Sequence, residues 1–159
     1  MQAFYADQFV LPLPEGHRFP MAKYRMLRDA LAQQLPSIRL QEAPAATRDA
    51  LALVHTPAYI DAILQGTAAP AVLREIGFPW SPAMAERACR SVGATVAAAH
   101  VALKEGLAAN LAGGTHHAYA DKGSGFCVFN DVAVAARVLQ AQGRRHPPLQ
   151  LSLIHISEP

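Results

Sequence analysis

The chain has 159 residues, 52% of them hydrophobic and only 16% charged, with a net charge of +2. That length suits one domain with a real core, and Lys and Arg are too scattered, with Arg144-Arg145 the densest pair, to form the basic stripe that nucleic acid needs. Two cysteines without CxxC spacing argue against a zinc knuckle or a disulfide framework. No segment approaches the roughly 20 apolar residues of a membrane span, and "MQAFYADQFVLPLPEGH" lacks the charge and apolar run of a signal peptide, so the sequence reads as a cytoplasmic protein in a reducing compartment.

In chain order, "AFYAD" reads as a short strand, followed by the Pro/Gly loop "LPLPEGHRFP", whose fixed φ angles discourage helix. "MAKYRMLRDALAQQL" places Tyr24, Leu27, Leu31 and Leu35 at helical spacing with charge on the other face, and Pro36 closes it. "IRLQEA" is a second short strand. Thr47 is a candidate N-cap for "RDALALVH", and Pro57 sits in the first turn of a helix "TPAYIDAIL", where its missing N–H does no harm.

Within "VLREIGFPWSPAMAERACRSVGATVAAAHVALKEG", helix is expected from Ser81-Pro82, as N-cap and first residue, to Gly106. Its "GATVAAAHVA" segment has side chains small enough for close approach to a sheet. "LAANLAGG" reads as a buried strand, and "NDVAVAARVLQAQG" as a helix opening at Asn130 or Asp131 and closing at Gly143. Strands alternating with helices predict an α/β fold with a parallel, helix-covered sheet.

The stretch "GGTHHAYADKGSGFC", Gly113 to Cys127, follows the third expected strand. In open α/β sheets ligand crevices form beyond the carboxyl ends of strands. Three readings of His116-His117 stand side by side. One is an ordinary loop pair. A second is metal ligation, disfavoured because adjacent side chains on an extended backbone point apart. The third is a paired general acid and base tuned near neutral pH, with the freedom of Gly113-Gly114 letting both rings face one pocket. "GSGFC" adds a flexible backbone, an aromatic wall and a small polarizable side chain, which suits a narrow apolar slot.

"GGTHHAYADKGSGFCVFND", with "EGHRFPMAKYRML", "HTPAYIDAIL" and "IGFPWSPAMAERACRSVGATVAAA", closely resembles the zinc-dependent histone deacetylase family, in a bacterial branch near the class IV type. The resemblance runs to about Gln150 and implies a three-layer arginase/deacetylase-like fold. It further implies that His116 and His117 form a catalytic dyad, with His117 as general base and acid and His116 as its electrostatic partner. Phe126 would wall the acyl-lysine slot, the Gly125 carbonyl would meet the substrate amide, and Cys127 would lie near the acetyl group. Arg18 would match an arginine of an internal cavity. The implied cofactor is Zn²⁺ and the implied partner an acetylated lysine or acetylated amine, with neither nucleic acid nor membrane involved.

His17 and His55 read as braces of loops, His100 as a core or sheath residue, Trp80 and Phe78 as packing under a loop, and Cys89 as a small buried hydrophobe. The family's Asp-x-His zinc ligands are expected on the strand after the last helix, where the sequence runs "PPLQLSLIHISEP" instead. Ser152 and His155 do not replace them, and "LSLIHISEP" resembles translated sequencing adapter. The expectation is therefore a deacetylase-like portion over 1–150 and a non-native tail over 151–159, with no metal ligands and no turnover in the chain as written. The severed parallel sheet is expected to expose an edge prone to aggregation. Two rival functions are an inactive acyl-lysine-binding fragment and an arginase-type manganese hydrolase; the His-His and Gly-Phe-Cys block argues against the latter.

Overall fold

The computed structural model describes residues 1–143, so the expected ligand strand and the tail beyond it lie outside the described residues. Nine elements follow in order: β1 Gln2–Tyr5, α1 Ala22–Gln34, β2 Arg39–Glu42, α2 Arg48–Ala52, α3 Pro57–Gln65, α4 Pro70–Ile76, α5 Pro82–Glu105, β3 Ala108–Asn110 and α6 Asp131–Ala141. The strands form one parallel sheet in the order β2-β1-β3. Gln2 stands beside Arg39 on one side and Ala108 on the other, and Phe4 beside Gln41 and Asn110. Ala3 and Phe4 point to opposite faces yet both are buried, as expected where a parallel sheet is covered on both sides.

Local chemistry sets most helix starts. Thr47, Thr56, Ser81 and Asn130 each accept a hydrogen bond from the backbone N–H three residues on, satisfying a donor that no helical carbonyl can reach. Pro57, Pro70 and Pro82 occupy first-turn positions. The long α5 ends at Gly106, as its sequence indicates. It lays Ala94 and Ala98 against Phe4, Ala6, Ala43 and Ala112, and Gly93 lets it press directly on the backbone of 44–46. A second, larger cluster joins Leu51, Ile60, Ile63, Ile76, Met84, Val92, Phe129 and Val134. None of the described helices is long and apolar enough to cross a membrane.

Three elements differ from expectation. The third strand pairs only over Ala108–Asn110 because the Asn110 side chain accepts the Ala112 N–H at 2.8 Å and turns the chain out of the sheet. α4 is a separate short helix, opened by Pro70 and closed by Gly77 in the left-handed region. The apolar stripe of α1 is not a core face: Leu27 is 44% and Leu35 49% exposed, and no residue of the helix is fully buried. Tyr24 alone in that stripe is gripped by charge, with the Arg87 guanidinium 4.2 Å above its ring.

Candidate active site

Beyond the carboxyl end of β3 the chain bends at Leu111 and Ala112 into Gly113–His117, and both imidazoles emerge on the same side. Their centroids lie 4.0 Å apart at 45°, and both residues are solvent-exposed. An extended backbone would have separated them; the chain instead turns at His116 and His117 themselves, which brings the rings together. The chain beyond is tied down at successive residues. Ser124 Oγ donates to the His117 carbonyl at 2.7 Å, Asn130 Nδ2 to the Ala118 carbonyl at 3.0 Å, and the Thr56 N–H to the Ala120 carbonyl at 2.8 Å.

The Gly-Phe-Cys turn packs against this pair. A Cβ added at Gly125 would lie 3.4 Å from His117 Cδ2. Gly125 and Phe126 both have positive φ, at 52° and 66°, and Phe126 is the one non-glycine residue so placed among the described residues. Such a conformation costs an L-residue about 1–2 kcal/mol and persists where surrounding contacts enforce it. Here the C-terminus of α4 does so: the Phe126 N–H donates to the Ile76 carbonyl at 2.7 Å and the Gly125 N–H to the Glu75 carbonyl at 3.2 Å. The half-buried Phe126 ring then stands among Phe19, Phe78 and His17, at centroid distances of 5.0, 5.1 and 5.9 Å.

Cys127 is buried, and removal from water pushes its thiol up from the ordinary range, so it remains a neutral thiol. Its sulfur lies 3.6 Å from the Gly125 carbonyl oxygen and 4.0 Å from that of Gly114, linking the two halves of the site.

Two other histidines are braces. His17 Nδ1 accepts the Phe19 N–H at 3.1 Å, which leaves the proton on Nε2 to meet the Gly77 carbonyl at 3.1 Å. His55 Nε2 accepts the Asn130 N–H at 3.0 Å, so the neutral ring carries its proton on Nδ1. That Nδ1 faces the Tyr119 and Ala120 carbonyls without reaching hydrogen-bond geometry. Desolvation lowers the pKa of His55, and those carbonyls only partly oppose it. His100 is half-exposed rather than core, and contacts Gln142 Oε1 at 2.8 Å. Trp80 donates to the Ile63 carbonyl at 2.7 Å and packs over Gly66.

Arg18 does not occupy the internal-cavity position expected of it. It is exposed and lies over the Phe126 ring, 5.0 Å from the centroid. The cavity of about 50 Å³ behind that ring is lined instead by Arg87, with Leu11, Phe19, Phe78, Met84 and Phe126 around it. Arg87 is held inward by the Ala6 and Phe9 carbonyls at 3.0 and 3.3 Å. Sequence reasoning passed over it because an arginine in the middle of α5 looks like any solvated helix residue.

The histone deacetylase domain model matches residues 17–146, which is most of the chain and includes the paired histidines and the Gly-Phe-Cys turn. The chain belongs to the histone deacetylase domain family. Among family relatives, an uncharacterized protein of Picosynechococcus sp. is 44% identical over 141 residues, covering 87% of this chain and 47% of that protein. The acetoin utilization protein AcuC of Bacillus subtilis is 38% identical over 105 residues, covering 60% of this chain and 27% of AcuC. A crystal structure of an HDAC homolog from Aquifex aeolicus superposes with a TM-score of 0.72 at 27% identity, over 89% of this chain and 41% of that one. An HDAC homolog complexed with SAHA gives 0.71 at 28%, with the same coverage. The α/β fold with its parallel sheet is thus the family fold over part of its length, and the chain spans less than half of each of these relatives.

Proposed function

We propose that this chain is the N-terminal part of a zinc-dependent deacetylase acting on acetyl-lysine or related acetylated amines. The observation that carries the reading is the pair of adjacent imidazoles, 4.0 Å apart, seated against the strained Gly125–Phe126 turn. Two titratable rings at one point are suited to taking a proton from an attacking water and returning one to a departing amine. His117, whose ring lies against Gly125, is the base and acid, and His116 steadies the charge that develops on it. Phe126 offers an apolar wall to a lysine stem, the exposed Gly125 a carbonyl to its amide N–H, and Cys127 a small neutral end to the slot.

Zinc is the metal the family resemblance implies, supplying Lewis-acid polarisation when bound. Catalytic zinc needs three protein ligands, and no group of three or more His, Cys, Asp or Glu among the described residues is arranged to hold a metal ion. The proposal assigns the described residues proton transfer and substrate grip. The test uses the intact protein that carries the complete domain. His117→Ala should lower hydrolysis of an acetyl-lysine peptide by about 10²–10⁴-fold, the usual share of general acid–base catalysis, with zinc content unchanged. Zinc lost together with activity would mean that His117 ligates the metal, and the dyad assignment would fall. Parallel assays on acetylated peptide and acetylated polyamine divide the substrate classes.

The aromatic wall that Phe126 forms with Phe19 and Phe78 also suits a second reading, an acyl-lysine binder without turnover. Saturable binding of an acetyl-lysine peptide with no acetate released supports it.

A further inference from the structure

We infer that Asp131 is a positioning residue for the His116–His117 pair, acting through Thr115 and Gly114; the inference deepens the proposed function, on which its catalytic meaning rests. Asp131 opens α6 and is completely buried. Its Oδ1 accepts from the Thr115 N–H at 2.9 Å and the Thr115 hydroxyl at 2.8 Å. Its Oδ2 accepts from the Gly114 N–H at 3.1 Å and the Thr95 hydroxyl at 2.6 Å.

The hydroxyl directions follow from their other partners. Thr115 Oγ1 accepts the N–H of Asp131 itself at 3.1 Å, and Thr95 Oγ1 accepts from Asn110 Nδ2 at 2.7 Å. Each hydroxyl therefore has its own hydrogen left for the carboxylate, which acts purely as an acceptor with both oxygens filled. Asp131 makes no ion pair among the described residues, so these four donors take the place of water around it.

The bonds join three elements at one point. Thr95 belongs to α5, Asn110 ends β3, and Asp131 starts α6. What they hold is the turn immediately before His116. With the Gly114 and Thr115 amides clamped, the direction in which the chain delivers the two imidazoles is fixed relative to helix and sheet. Gly113 completes the device, since a Cβ there would collide with the Asn110 amide and Asp131 Oδ2. Only a carboxylate of this length fits: an asparagine would turn an NH₂ toward one of the two donor pairs, and buried donors facing donors are costly. The neighbouring Asn130 has a different task, capping α6 and holding Ala118.

The experiment uses the whole chain, isotopically labelled, with Asp131→Asn, Thr95→Val and Thr115→Ser, read by NMR of the Gly114 and Thr115 amides and of the histidine rings, alongside thermal melts. Asp131→Asn should abolish the downfield amide shifts of Gly114 and Thr115 and move the His116 and His117 ring signals and their pH titrations, while His17 is unchanged. Thr115→Ser keeps the hydroxyl and should preserve the wild-type pattern. Should Asp131→Asn fail to fold, Thr95→Val decides, since it removes one donor and should give a partial shift of the same signals. The inference is overturned if either altered chain melts lower yet leaves the amide and ring signals of the pair in place, because Asp131 would then only stabilise. Absence of deacetylation by the intact, unaltered protein would instead sink the proposed function and leave these signals as they are.

Discussion

Gly77→Ala, compared with Gly106→Ala, isolates the contact that supports the aromatic wall. Both glycines end helices at positive φ, +87° and +84°, with their N–H groups bonded to Leu73 and Ala102 at 2.9 and 2.8 Å, but Gly77, at ψ 12°, is in the left-handed region while Gly106, at ψ −30°, lies outside it. An L-residue in the left-handed region costs about 1–2 kcal/mol, offset by about 0.4–1 kcal/mol from the stiffer unfolded chain, so Gly77→Ala loses about 1 kcal/mol from backbone alone, while Gly106→Ala is the case of backbone strain without a new contact. At Gly106 nothing lies within 4 Å of the new methyl group. At Gly77 it would sit 2.9 Å from Phe126 Cε1 and 3.2 Å from Cδ1. The ring has little room to yield, because its backbone is bonded to Ile76 and its faces meet Phe19 and Phe78. Overpacking of this kind adds about 1–3 kcal/mol. At about 2–4 °C per kcal/mol for a chain of this size, Gly77→Ala should lower Tm by at least twice the about 2–4 °C that its backbone alone would cost. The assay is a paired thermal melt by circular dichroism, with ring-proton NMR to show that Phe126 has moved only in Gly77→Ala. A loss of Tm in Gly77→Ala no larger than its backbone cost, with unmoved Phe126 signals, would refute the argument.

Three further outcomes are expected. Gly93→Ala should destabilise although alanine is the better helix former by about 1 kcal/mol, because its methyl would run into the Pro44 carbonyl and the backbone of 45–46; a raised Tm would show that the close approach of α5 is wrong. Burial lowers the pKa of His55 below its unfolded value of about 6.5, so its contribution is fully present above that pH and is lost as pH falls through the folded value. His55→Gln keeps an acceptor for Asn130 without titrating, and should flatten the fall in urea midpoint between neutral and acidic pH; an unchanged slope counts against His55 as the group responsible. Both cysteines are buried, with Cys127 pushed up and Cys89 raised to about 11, so a thiol reagent at pH 8 should label neither until denaturant is added. Rapid labelling of the native chain would contradict their burial.

Much of the site is written locally. The caps at Thr47, Ser81 and Asn130 act on N–H groups three residues away, so a short window of sequence contains both partners. The order of strand, paired glycines, paired histidines and Gly-Phe-Cys likewise marks the candidate site, because backbone freedom and imidazole chemistry are properties of the residues themselves. Arg18 and Arg87 show the limit. Both are arginines near an aromatic residue, and only the path of α5 past β1 decides that Arg87 faces the cavity while Arg18 covers Phe126 from outside.

The sequence by itself therefore determined the alternation of strands and helices, where most helices begin, and which two imidazoles stand at the end of a strand. Tertiary structure alone decided how those rings are held. Asp131 meets Thr95 across 36 positions and Thr115 across 16, and the left-handed Phe126 hangs from the carbonyl of Ile76. Hydrogen bonds act over about 3 Å of space whatever the distance along the chain, so partners far apart in sequence become visible only once the fold has brought them together.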